Sequence, residues 1–162
     1  MLREAQIDFV DGGQNVTSTE SLILDLDLNT MKKEDVNFAS EYSVTINRNS
    51  KLHGLVGWFD CIFEDPKKPH HAVTLSTSPF KKGTHWKQTT FYMNLKEQLN
   101  GTFGLEVKKG DTLYGSLACI QNKKNFRELD IKISYHLKRT TKDESGETSK
   151  KIYDGVELYK VR

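Results

Sequence analysis

The stretch LDIKISY, residues 129–135, decides the fold class of this chain, because every second side chain in it is apolar. Successive side chains of a β-strand point to opposite faces of the sheet, so this alternation predicts a strand with one buried face. The same period of two occurs in LILDLDL at 22–28, YSVTI at 42–46 and FGLEV at 103–107. The apolar spacing of three and four residues that a long helix needs is not convincing anywhere, and only 31–36 and 93–99 predict a short helical turn.

Two further stretches are apolar on nearly both faces, LVGWFDCIF at 55–63 and TLYGSLACI at 112–120. Such runs predict central strands that are covered on both sides. Turn sequences rich in Asn, Gly, Asp and Pro separate the runs. The chain is therefore predicted to be all-β, an antiparallel β-barrel or sandwich of roughly nine or ten strands with very little helix.

No shift in composition divides the chain, so residues 1–162 are predicted to form a single domain. Thr140–Lys150 contains no apolar residue. That segment predicts a solvated loop, followed by a last strand over Ile152–Tyr159.

Charge and composition exclude several classes of protein. The 24 Lys and Arg residues nearly balance 22 Asp and Glu, and a net charge of +2 gives little attraction to nucleic acid or a membrane surface. No apolar run approaches the roughly 20 residues of a membrane-spanning helix. Two cysteines, Cys61 and Cys119, cannot form a disulfide framework, which predicts an intracellular location, cytoplasmic or nuclear.

The usual catalytic and metal-binding patterns do not occur. The five histidines have no zinc-ligand spacing, so no metal site is predicted. The hydroxyl-rich STSP at 76–79 has no nucleophile elbow, and it predicts a turn whose hydroxyls bond the nearby backbone. Both cysteines lie in apolar runs and are interpreted as inert core residues.

The loop that ends in His85-Trp86 is chemically unusual, because it joins two strand-like stretches. The face of Trp86 offers a site for a cation such as guanidinium, and His85 can donate or accept a hydrogen bond. Alternatively, Trp86 plugs the end of the sheet structure and His85 caps it. The residue types alone favour that second reading, and Trp58 is a core candidate in either case.

Several motifs in sequence order resemble the C-terminal β-barrel of the protein arginine methyltransferases. The most specific is THWKQT at 84–89, which is similar to the Thr-His-Trp loop of that family. The others are FASEY at 38–42, HGLVGWFD at 53–60, LSTSP at 75–79 and NKKNFRELD at 122–130. Together they extend to about His136, and their details are most similar to the type I branch, which makes asymmetric dimethylarginine.

The resemblance implies a substrate-binding barrel of an enzyme that transfers methyl groups from S-adenosylmethionine to arginine side chains of proteins. Thr84, His85 and Trp86 would close the active site and bind substrate, with no residue catalytic in the strict sense. The family's cofactor motif and dimerisation arm are not found. We therefore expect no cofactor in this chain, no activity in isolation, a monomer, and a methyltransferase catalytic domain as partner in cis or in trans.

Two other classes of function remain open. One is a free-standing, non-catalytic β-sandwich that binds peptide or carbohydrate, which would place Trp58 and Trp86 on an exposed face. The other is an OB-like nucleic-acid binder, which the charge of +2 and the lack of a basic-aromatic strand face disfavour.

Overall fold

A computed structural model describes residues 2–64, 67, 71–94, 104–143 and 146–162. Within these residues the chain forms twelve strands, one helical turn α1 (Gly12–Asn15) and one 3-10 turn (Lys33–Val36). The strands are β1 (Leu2–Glu4), β2 (Gln6–Asp8), β3 (Phe38–Thr45), β4 (Ser50–Leu52), β5 (Gly54–Gly57), β6 (Asp60–Phe63), β7 (Val73–Ser76), β8 (Gln88–Tyr92), β9 (Leu105–Val107), β10 (Thr112–Gln121), β11 (Leu129–Asp143) and β12 (Gly146–Val161). The all-β prediction is confirmed. Among the described strands, hydrogen bonding produces four separate sheets and no closed barrel.

Contacts group the chain into two compact units. The first contains Met1–Glu4, Thr17–His53 and Met93–Arg162, and the second contains Ala5–Val16 and Gly54–Tyr92. The assignment of residues 1–162 to a single domain stays a prediction.

The first unit contains a five-stranded sheet of order β1-β12-β11-β10-β3 and a two-stranded sheet of β4 and β9. Only the β1–β12 pair in the five-stranded sheet is parallel. The alternation of 129–135 produces the predicted buried face, since Ile131, Ile133 and Tyr135 are all buried. Burial of a large apolar side chain contributes about 1.5–3 kcal/mol, so this face holds the unit together.

A partly buried ion pair braces the same sheet. Arg139 donates from Nε and Nη2 to the two carboxylate oxygens of Asp111, at 2.8 and 2.7 Å. Burial alone would raise the pKa of Asp111, but the hydrogen bonds from Arg139 and from the Lys108 N–H outweigh it and hold that pKa below its ordinary value.

The strand predicted over 22–28 is not formed. Residues 21–27 have no strand pairing, and Leu22 and Leu28 are 77% and 67% exposed. Hydroxyl groups bond the edge of β3 just before this segment: the Thr45 N–H donates to Thr19 Oγ1 at 2.9 Å, and the Ser43 N–H donates to Ser21 Oγ at 3.4 Å. Side-chain oxygens therefore occupy positions that a backbone ladder would need.

The prediction of a solvated loop at 140–150 is also wrong. Strands β11 and β12 continue as a hairpin until Asp143 pairs with Gly146. Hydroxyl pairs link the two strands, with Thr140 Oγ1 3.1 Å from Ser149 Oγ and Thr141 Oγ1 3.0 Å from Thr148 Oγ1. Thr favours strands through its β-branch, so a segment without apolar residues still extends the sheet.

The second unit contains a three-stranded sheet of order β2-β8-β5 and a two-stranded sheet of β6 and β7. The doubly covered central strand predicted at 55–63 is not present, because β5 ends at Gly57 and lies at an edge. Phe59, which follows, binds Thr77 through its backbone, and the chain resumes as β6 in the other sheet. In the first unit β10 is central as predicted, but Tyr114 and Ile120 on its second face are exposed.

Candidate functional site

The loop between β7 and β8, residues 77–87, is the candidate site and lies wholly in the second unit. It contains two tight turns, in which the Lys81 N–H donates to the Ser78 carbonyl oxygen and the Lys87 N–H donates to the Thr84 carbonyl oxygen, both at 3.1 Å. Lys87 closes the second turn with φ of 58°, and it is the only described non-glycine residue with positive φ. A lysine in this left-handed region is uncommon, which indicates that the surroundings impose this conformation.

Hydroxyl groups hold the beginning of the loop. Thr77 is 1% exposed and forms three bonds with the backbone of Phe59: its Oγ1 accepts from the N–H at 3.0 Å and donates to the carbonyl oxygen at 2.9 Å, and its own N–H also donates to that oxygen. Ser78 Oγ accepts from the Phe80 N–H at 3.3 Å. The hydroxyls of Thr77 and Ser78 bind backbone, as the sequence predicts, whereas the Ser76 hydroxyl donates to the Asp60 carboxylate at 2.6 Å.

Gln88 holds the other end of the loop. Its side chain is buried, donates from Nε2 to the Thr77 carbonyl oxygen at 2.7 Å, and accepts at Oε1 from the Val10 N–H at 2.8 Å. The amide thus ties the start of the loop, its end and the N-terminal segment together. The sequence predicts no role for Gln88, and the available signal was an amide at the start of β8 within the motif at 84–89.

Close packing leaves space for glycine alone at two points beside the loop. A Cβ atom on Gly12 would lie 2.5 Å from the ring of Phe80, and one on Gly83 would lie 2.9 Å from the ring of Phe9. The Gly12 N–H also donates to the Pro79 carbonyl oxygen at 3.0 Å. The backbone is therefore held against the N-terminal segment on both sides of Lys81 and Lys82.

The predicted site residues His85 and Trp86 form an exposed pair of rings that are tilted against each other. Their ring centroids are 3.9 Å apart with planes tilted by 32°, and Trp86 meets Phe59 edge-on at 6.3 Å. The side chain of Trp86 is 48% exposed. This exposure contradicts the alternative in which Trp86 plugs a core, and it leaves an aromatic surface open to a ligand or another protein.

Thr84 carries the clearest unsatisfied group at the site. Its Oγ1 is buried and has no hydrogen-bond partner among the described residues. A buried hydroxyl without a partner costs about 1–3 kcal/mol, so the loop keeps a polar atom that a partner or ligand could satisfy.

Other places in the described part of the chain show less. No group of three or more His, Cys, Asp and Glu residues there is arranged to hold a metal. Burial, helped by the negative charge of Asp130, raises the pKa of the Cys119 thiol, which makes a nucleophilic thiolate unfavourable. No described helix is long and apolar enough to cross a membrane.

Known structures share this fold. The Trypanosoma brucei PRMT1 enzyme–prozyme heterotetrameric complex with AdoHcy contains a chain that is 26% identical, with a TM-score of 0.71 over 98% of this chain and 44% of that one. Arabidopsis thaliana protein arginine methyltransferase 10, solved in an open conformation, gives a TM-score of 0.75 over 97% of this chain and 42% of its own. At 21% identity the second likeness shows the fold alone.

Sequence comparison identifies the family. Residues 1–140 match the model of the arginine methyltransferase oligomerization subdomain. Protein arginine N-methyltransferase 1 of Saccharomyces cerevisiae is 40% identical over 83% of this chain, and that of Schizosaccharomyces pombe is 41% identical over 82%. The chain spans only 36% of the length of either relative. Because the family model matches residues 1–140, the chain belongs to the arginine methyltransferase oligomerization subdomain family.

Proposed function

We propose that this chain is the substrate-side domain of a protein arginine N-methyltransferase, and that Thr84, His85 and Trp86 complete its arginine pocket. The observation that carries this proposal is the contrast between a tightly bonded loop backbone and the exposed His85–Trp86 pair that it presents. The loop is held by the buried side chains of Gln88 and Thr77 and by the close contacts at Gly12 and Gly83. Trp86, which the loop carries, is itself about half exposed. Such rigidity around an exposed aromatic side chain favours a recognition surface over a packing role.

Trp86 would form one wall of the pocket. A guanidinium ion over an indole face is attracted by about 0.5–1 kcal/mol when exposed and about 2 kcal/mol when desolvated. The greater effect is orientation, because a planar cation laid against a fixed ring presents its nitrogen in one direction. S-adenosylmethionine supplies an electrophilic methyl group when it is bound, and its site would lie on the catalytic domain.

His85 and Thr84 would join the loop to that catalytic domain. The His85 ring lies against Trp86 and is exposed, and its nitrogens would bond acidic groups of a partner that holds the same guanidinium. The unpartnered Thr84 Oγ1 would find a hydrogen-bond partner when the catalytic domain docks on the loop. These residues position the substrate and do not remove a proton.

The proposal includes the partners and state of the chain. The substrate would be an arginine-containing protein, and the partner would be a methyltransferase catalytic domain in cis or in trans. We expect the isolated chain to be an inactive monomer without cofactor. Two free cysteines support an intracellular location, cytoplasmic or nuclear.

A chimera tests the proposal. This chain would replace the matching segment of the Saccharomyces cerevisiae relative, to which it is 40% identical. Mass spectrometry should then detect methylated arginine in a peptide incubated with the chimera, while the 162-residue chain alone should produce none. A well-folded chimera that binds S-adenosylmethionine but methylates nothing would contradict the assignment.

A further inference from the structure

Residues 20–28 run beside the edge strand β3 without pairing with it, and we call this segment the strap. The chain just before the strap is paired with the end of β3 and the residues that follow it. There the Asn47 N–H donates to the Thr17 carbonyl oxygen at 2.7 Å, and the Thr19 N–H donates to the Thr45 carbonyl oxygen at 2.9 Å. The strap therefore continues from an antiparallel ladder whose register is already fixed.

A cavity separates the strap from β3. Its volume is about 410 Å³, and its lining includes residues 24–27 of the strap together with Asn37 and Phe38 at the start of β3. Leu22, Leu24 and Leu28 of the strap are exposed to solvent. The strap therefore stands away from the sheet at the place where a sixth strand would lie.

The register of the ladder predicts which residues would meet if the strap closed. Continued along both strands, it places Ile23 opposite Glu41 and Asp25 opposite Ala39. The hydroxyl bonds described above reach no further along this edge than Ser43. The N–H groups of Glu41 and Ala39 point the same way as that of Ser43, and neither donates a hydrogen bond to a residue that the structure describes. The edge is therefore open where the strap would lie.

The alternation of the strap matches the two faces of β3 in this register. Tyr42 and Val44 of β3 are buried, whereas the odd-numbered residues of that strand are exposed. Residues opposite each other in a sheet share a face, so even-numbered strap residues would join the buried face. All of these are leucine, at positions 22, 24, 26 and 28. Asp25 and Asp27 would remain on the solvent face.

The far end of the strap already forms a turn. The Asp27 carboxylate accepts from the Asn29 N–H at 2.9 Å and from the Thr30 hydroxyl at 3.0 Å, and its carbonyl oxygen accepts from the Met31 N–H at 2.9 Å. The 3-10 turn Lys33–Val36 then returns the chain to β3. Both ends of a hairpin are therefore built, and closure needs movement of the strap alone.

We infer that the strap is a sixth strand of this sheet, open in the structure, and that it closes on β3 with Leu24 opposite Ser40. Closure would fill the cavity, bury the leucines and pair the open N–H groups of the edge, which otherwise offer a template to strands of other chains. The strap lies in the first unit and the proposed arginine pocket in the second, so the inference does not depend on the proposed function.

Disulfide trapping in the full 162-residue chain tests the register. Cys61 and Cys119 would first be replaced by alanine. Leu24→Cys/Ser40→Cys would then be compared with the control Leu24→Cys/Glu41→Cys. In the closed strap, Leu24 and Ser40 form a pair without backbone hydrogen bonds whose Cα atoms are about 4.5 Å apart, which a disulfide can bridge.

The side chain of Glu41 points to the opposite face, so the control pair meets only when the strap is open. In a glutathione buffer, Leu24→Cys/Ser40→Cys should therefore form its disulfide about tenfold faster than the control. Mass spectrometry of tryptic fragments would identify the bridge. Equal rates, or faster oxidation of the control pair, would overturn the inference.

Amide hydrogen exchange followed by NMR gives a second readout that needs no cysteine. The Glu41 and Ala39 amides of the unmodified chain should exchange at least about tenfold more slowly than in an unstructured peptide, because the closed strap pairs with them. Leu22→Asp/Leu24→Asp should remove this protection, and since both leucines are exposed in the structure, the variant should still fold. The control Ile23→Asp changes only the solvent face of the closed strap and should keep the protection. Unprotected amides in the unmodified chain, or equal protection in both variants, would contradict closure.

Discussion

The Nε2 atom of Gln88 donates a 2.7 Å hydrogen bond to the carbonyl oxygen of Thr77, and this bond joins the two ends of the loop that carries His85 and Trp86. Both residues are buried, at 3% and 1% exposure. This amide is therefore one of the buried contacts that keep the shape of the loop when no ligand is bound.

Replacement of Gln88 should loosen the loop. Gln88→Ala leaves the Thr77 carbonyl and the Val10 N–H without partners, and each unsatisfied buried group costs about 1–3 kcal/mol. We expect a loss of roughly 2–4 kcal/mol in the free energy of unfolding, measured by urea denaturation. Gln88→Glu keeps the acceptor for Val10 but directs a carboxylate at the Thr77 carbonyl, so its deficit against wild type should be larger at pH 7 than at pH 4. Equal deficits at both pH values would argue against this geometry.

Trp86 should contribute little to stability. Because its side chain is 48% exposed, Trp86→Ala should lower the free energy of unfolding by less than about 1 kcal/mol, far below the roughly 3–5 kcal/mol of a fully buried Trp. Leu137→Ala, at a position with no exposure, serves as the reference and should cost about 2–5 kcal/mol. If both variants lost a comparable free energy of unfolding, Trp86 would be a core residue and this prediction would be wrong.

Lys87 should tolerate glycine better than a β-branched residue. Its φ of 58° is natural for glycine, so Lys87→Gly should relieve backbone strain. The same substitution removes the Lys87 ammonium, which lies 5.3 Å from the centre of the Phe9 ring, and the lost cation–π attraction offsets part of that gain in stability. Thermal unfolding should show Lys87→Gly close to wild type and Lys87→Val lower by about 1–2 kcal/mol. A less stable glycine variant would mean that the lysine side chain, and not the turn, holds this position.

The ion pair of Asp111 and Arg139 should give stability that depends on pH. The pKa of Asp111 is lower in the folded chain than in the unfolded one, so the contribution is complete above the unfolded pKa of about 3.9 and disappears as pH falls through the folded pKa. Asp111→Asn should therefore cost roughly 2–4 kcal/mol at neutral pH, since it leaves Arg139 without its charged partner. The difference from wild type should begin to shrink as pH falls below about 3.9, the unfolded pKa. Urea midpoints would be measured across the acid range and at neutral pH, and a difference that stays constant would contradict a role for the pair.

Sequence reasoning succeeded where one face of a strand is buried by neighbouring strands. The alternation of 129–135 predicted a strand whose Ile131, Ile133 and Tyr135 are buried, because side chains at every second position of β11 face the core. It failed at 22–28, where the same alternation belongs to an unpaired segment. A period of two reports an amphipathic strand only when a partner edge is available, and hydroxyl groups of Thr19 and Ser21 already occupy that edge.

The candidate site was partly predictable for a different reason. The motif at 84–89 drew attention to Thr84, His85 and Trp86 through resemblance, whereas the residue types alone favoured a core plug for Trp86. The role of Gln88 depends on contacts with Val10 and Thr77, which are 78 and 11 residues away in sequence. Contacts of that kind arise from the topology of the second unit and leave no local pattern.

The most direct test of the arginine pocket is a comparison of catalysis and cofactor binding in the chimera with Trp86→Ala. The kcat/KM for an arginine peptide should fall by about 10- to 100-fold, because the lost ring both binds and orients the guanidinium. The Kd for S-adenosylmethionine, measured by calorimetry, should stay within about twofold of the unsubstituted chimera, since binding energy from the ring would be spent on substrate alone. Unchanged kcat/KM, or a parallel loss of cofactor affinity, would contradict the account.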